Sequence, residues 1–65
     1  MRPTIIYDPD LNKAAVFEAD YQIADYNFNS SEFNTEIKMS EAKANECLEL
    51  MEAEKLEHEY FVKMN

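Results

Sequence analysis

Apolar positions change period along this chain. Thr4-Ile5-Ile6-Tyr7 is a short β-branched and aromatic run, which predicts a strand, limited at its start by Pro3. Asp8-Pro9-Asp10-Leu11-Asn12-Lys13 follows with turn chemistry: Asp opens a type I turn, Pro fills its second place, and Asn12 tolerates the left-handed conformation. Ala14-Ala15-Val16-Phe17-Glu18-Ala19 then reads as the return strand of a hairpin. A rival reading lets Asn12 cap a helix through Asp25, because Phe17, Tyr21, Ala24 and Phe28 fall at helical spacing. The well-formed turn between two apolar runs favours the hairpin. Tyr21 to Phe28 is then a third strand or an irregular bridge, since its faces alternate imperfectly.

Asn29-Ser30-Ser31 signals a loop. Phe33 stands alone among polar residues and is expected to fold back onto the core. Thr35-Glu36-Ile37-Lys38-Met39 alternates as a short strand would. From Ser40 to Lys55 the period becomes helical. Ser40 is a good N-cap, and Glu41 sits where the helix dipole favours negative charge. Lys43 stands where a capping box would place Glu or Gln. Ala44, Cys47, Leu48 and Met51 form one apolar stripe, widened by Leu50. The stripe fails at Glu54 and Lys55, so the helix is expected to end there. Leu56 to Met64 changes to period two and reads as a closing strand, with Leu56, His58, Tyr60, Val62 and Met64 on one face. The fold expected is α+β: a small antiparallel sheet of three or four short strands with one amphipathic helix, about 40–55, packed on one face. Residues 1–65 make a single small acidic domain, with no linker or internal repeat.

Charge sharpens this picture. Fourteen acidic residues face six basic ones, for a net charge of −8. That excludes direct binding to nucleic acid, whose phosphates call for Lys and Arg, and to an anionic membrane surface. It favours a protein partner with a basic surface, approached by electrostatic steering. Glu46 and Glu49 lie opposite the apolar stripe, with Glu41 and Glu52 on a flank; Glu57, Glu59, Asp20 and Asp25 add charge outside the expected helix. These residues are either a solvated surface or a recognition surface. Tyr21 and Tyr26 join them as candidate contacts, because tyrosine pairs a rigid apolar body with a polar tip.

Catalytic and metal chemistry find little support. Asp8-x-Asp10-x-Asn12 opens like a calcium loop, but Lys13 stands where that loop needs Gly, and Ala19 where it needs Glu. His58, the one histidine, has no second ligand or nucleophile at a useful spacing. Cys47, the one cysteine, lies on the apolar stripe among glutamates and reads as inert core. With no glycine there is no phosphate-binding loop. No enzyme activity, cofactor or metal is therefore expected. A lone cysteine and the absence of a signal-peptide pattern point to a cytoplasmic setting. The expected function is a small acidic inhibitor or adaptor that blocks a basic surface of a DNA- or RNA-binding or defence protein. Compact acidic proteins of this kind occur among phage-encoded inhibitors, which would act in the host cytoplasm; the comparison rests on size and charge. The alternative is a structural module or accessory subunit, acting as a homodimer, with charge serving solubility.

Overall fold

A computed structural model describes residues 3–64. Four strands run β1 (Thr4–Asp8), β2 (Lys13–Glu18), β3 (Tyr21–Asn27) and β4 (Glu32–Thr35), followed by one helix, α1 (Glu41–Met64). The strands form one antiparallel meander in the order β1-β2-β3-β4, and α1 packs across one face. This is the α+β arrangement expected, with the first hairpin as a hairpin and the rival helix over 12–25 absent.

The three turns are built without glycine. Asp8 Oδ1 accepts from the backbone N–H groups of Asp10 and Leu11, at 2.9 and 3.3 Å, and Asn12 takes the left-handed conformation at φ 55°. Ala19 adopts φ 55° in the two-residue turn between β2 and β3. In the third turn Asn27 Oδ1 accepts from the N–H groups of Asn29 and Ser30, and Ser31 takes φ 61°.

The inner sheet face presents Ile5 and Tyr7 of β1 beside Val16 and Ala14 of β2, then Ala24 and Tyr26 of β3, then Phe33 of β4. Register slips between Val16 and Phe17: Val16 pairs with Ala24 and Phe17 with Gln22. Ile23 is thus the extra residue of a β-bulge. Both Ile23 and its neighbour Ala24 are buried, which accounts for the imperfect alternation of this segment.

Two expectations are corrected. The last strand is Glu32–Thr35, four residues that include Phe33, and not 35–39. The short turn at 28–31 lets pairing resume at once, and Tyr26 faces Phe33 across the ladder. Residues 36–40 instead cross from sheet to helix, with Ile37 and Met39 packed against the core. The second correction concerns the end of the chain: 56–64 is helix, not strand, so α1 is 24 residues long. No Gly, Pro or Asn interrupts the segment between Lys55 and Met64. Once nucleated, a helix extends at low cost through Leu, Glu, Lys and Met. The stripe does not fail at Lys55, because a lysine stem can cover apolar surface while its head stays in water. Lys55 lies over the Phe28 ring, with Nζ 4.7 Å from the centroid, and His58 meets Tyr7 at a centroid distance of 5.5 Å.

The start of α1 is as expected. Ser40 Oγ accepts from the Lys43 N–H at 3.1 Å, and the Ser40 carbonyl accepts from Ala44 at 2.9 Å. The core comprises Ala14, Val16, Ile23, Ala24, Cys47 and Met51. Half-buried Leu48 packs against it, so the helix meets the sheet through the predicted stripe.

Candidate acidic interaction surface

Glu41, Glu46, Glu49, Glu52, Glu57 and Glu59 are all exposed and all stand on α1. Had 56–64 formed a strand, the last two would have left the helix. Instead the six carboxylates share one rod and span about 27 Å of its axis at 1.5 Å per residue. Glu41, Glu52 and Glu59 are separated by eleven and seven residues, close to three and two full turns, and so line one flank. Glu46, Glu49 and Glu57 lie nearer the ridge that faces away from the sheet.

Beside that flank is an open groove of about 290 Å³, lined by Tyr26, Phe28, Glu52, Lys55, Leu56 and Glu59. Its floor is aromatic: Tyr26 and Phe28 meet edge to face at 4.8 Å. The Lys55 ammonium sits over Phe28 and lies 3.9 Å from Glu59 Oε1, a loose i,i+4 pair. Tyr26 is half-buried, packs against the core and also lines the groove. Tyr21, by contrast, is 58% exposed at the β2–β3 turn, next to exposed Asp20.

Asp25 belongs to a different surface. On the outer sheet face its two carboxylate oxygens accept from Gln22 Nε2 at 3.1 Å and Asn34 Nδ2 at 3.2 Å. Gln22 Nε2 also reaches Glu36 Oε1 at 3.2 Å. Desolvation, followed by the neighbouring Asp25, holds the Glu36 carboxyl above its ordinary value. Asp25 is thus committed to internal partners, and the structure separates it from the helix carboxylates.

Sequence reasoning did not anticipate the pair formed by Lys43 with Glu18 of β2, 2.8 Å apart. A hydrogen bond from the ammonium to Glu18, then their Coulomb attraction, raises the Lys43 pKa. Nor did it anticipate the Phe28–Lys55 contact. The available signal was spacing: Lys55 follows Met51 by four residues, continuing the stripe.

Cys47 is buried, and burial pushes its thiol up, away from the reactive thiolate. It lies eleven residues from His58 on the same helix, about 16 Å along the axis, beyond the reach of a nucleophile–base hydrogen bond. Tyr7, packed between Phe28 and His58, donates its hydroxyl to Asn12 Oδ1 at 2.7 Å. Desolvation, then Glu59 and Asp8, raise its pKa. Among the described residues no group of His, Cys, Asp and Glu is placed to hold a metal ion. Among the described residues no helix is long and apolar enough to cross a membrane. Comparison with protein-family models, with curated proteins and with solved structures finds no match.

Proposed function

We propose that this protein is a small acidic inhibitor or adaptor that docks the carboxylates of α1 on a basic surface of another protein, of the kind that normally holds nucleic acid. The observation that supports this is the continuity of α1, which places six exposed glutamates on one stiff element. They average roughly one carboxylate per 4–5 Å of axis, against one phosphate per 3.4 Å along a DNA strand. Carboxylates and phosphates are alike anionic acceptors for Arg and Lys. Three cations on the helix offset only part of this: Lys43 is held by Glu18, Lys55 lies over Phe28 in a loose pair with Glu59, and Lys63 stands in the last turn, beyond the six carboxylates. Phage-encoded inhibition of a host defence or DNA enzyme, in the host cytoplasm, is the specific form of this reading.

The flank of Glu41, Glu52 and Glu59, beside the aromatic groove, is the contact assigned to the partner. The test is capture of partners from a lysate by the immobilised chain. A nucleic-acid-binding protein should be retained at low salt, released by high salt or by competing DNA, and not retained by a Glu41→Lys/Glu52→Lys/Glu59→Lys variant. Retention of no basic protein, or retention indifferent to both DNA and the triple variant, overturns the proposal.

A further inference from the structure

The last turns of α1 carry apolar residues on the side turned away from the sheet. Leu56, Tyr60 and Met64 are 64%, 67% and 69% exposed. They follow one another at i, i+4 and i+8, so they stack along one ridge, and exposed Ala53 precedes Leu56 by three residues on the same ridge. Contiguous exposed apolar surface of this kind marks an interaction site.

We infer that this ridge pairs with the same ridge of a second copy, antiparallel, about a two-fold axis between Leu56 and Glu57. In such a pair residue numbers facing each other sum to the same value, and each contact occurs twice. Ala53 then faces Tyr60 of the second copy, a small residue receiving a large one, while the two Leu56 side chains meet at the centre. Lys63 falls about 1.5 Å along the axis from the level of the second copy's Glu49. An antiparallel pair brings like flanks together, so Lys63 and Glu49, which share a flank, meet with opposite charge. The ridge is thus complementary to itself in shape at Ala53 and Tyr60 and in charge at Lys63 and Glu49.

Glu57 lies beside the axis and faces its own mate, which opposes association. That repulsion and the net charge of each copy are screened by salt. The dimer therefore tightens as salt rises, whereas docking on a basic partner weakens. Glu52 and Glu59 stay at the edge of the pair, and both aromatic grooves open on the same side of it. The inference goes beyond the proposed function and does not depend on it: Leu56 borders both surfaces, but Ala53 and Tyr60 lie outside the groove and Glu41, Glu52 and Glu59 lie off the ridge.

Sedimentation equilibrium of the full chain, at low and high salt, tests it. The wild-type chain should be a dimer that strengthens with salt. Leu56→Asp and Tyr60→Asp should each weaken it by roughly tenfold or more, about 1.4 kcal/mol. Both sites are exposed in the single copy, so far-ultraviolet circular dichroism should stay unchanged; Ala53→Arg provides a third probe should either variant unfold. Lys63→Glu should loosen the dimer, and adding Glu49→Lys should restore it. A monomer at every salt and concentration overturns the inference. So does a dimer indifferent to folded ridge variants, or one broken only by Ile6→Asp on the outer sheet face. A Glu41→Lys/Glu52→Lys/Glu59→Lys chain that loses its partner but still dimerises would show that the two surfaces act separately.

Discussion

At the scale of the residue, the chain meets left-handed backbone without glycine. Asn12 suits its φ of 55°, because its side chain also accepts from the Tyr7 hydroxyl and donates to Asn29 Oδ1 at 2.8 Å. Ala19 has no such compensation. A left-handed L-residue costs about 1–2 kcal/mol; glycine removes that cost but gives part of the gain back as unfolded-state entropy. Ala19→Gly is therefore expected to raise stability by about 0.5–1 kcal/mol, read as a higher urea midpoint at unchanged slope. Ala15→Gly, in the middle of β2, should lower it. The first effect could not be read from sequence, since nothing in Glu18-Ala19-Asp20 marks Ala19 as the residue that turns.

At the scale of the element, the helix stripe decides stability. Met51 is fully buried between α1 and the sheet. Met51→Ala is expected to cost about 2–4 kcal/mol in urea unfolding, a large share of the roughly 3–10 kcal/mol available to a chain of this size. Leu50→Ala, on the half-buried shoulder of the stripe, should cost clearly less. The packing of Cys47, Leu48 and Met51 was legible in the sequence because helical spacing and strong helix formers agreed there, while Ala44, at the start of the stripe, is only half-buried. The first hairpin was legible through Asp8, Pro9 and Asn12. The third strand was obscured by the bulge at Ile23, which buries two successive residues and breaks the period of two. The end of α1 was misread for a related reason. Leu56, Tyr60 and Met64 lie on the helix side away from the sheet, while His58 meets Tyr7 on the sheet side, so apolar residues on two faces imitate alternation. Of the candidate site, the acidic residues were legible as charge. Their gathering on one rod was not, because it depends on where the helix stops.

At the scale of the whole molecule, charge opposes compactness. The net charge is −8, and the two ion pairs among the described residues are Lys43–Glu18, partly exposed, and the long Lys55–Glu59 pair. Exposed pairs of this kind contribute about 0–1 kcal/mol each, so their screening removes little. Self-repulsion spread over the surface is screened over about 10 Å at 0.1 M salt. Adding sodium chloride is therefore expected to raise the thermal midpoint, measured by circular dichroism on dilute protein; a fall would mean that attractive pairs outweigh the repulsion. The order of elements has a consequence for synthesis. All four strands precede the helix, and each strand pairs with the one just before it. A ribosome thus releases a sheet whose inner face, with Val16 and Ala24, has no helix over it until Met51 has emerged. The hairpins can form early, but commitment to the fold waits for the C-terminal element, and a chain stalled before it would present that bare face to chaperones or proteases.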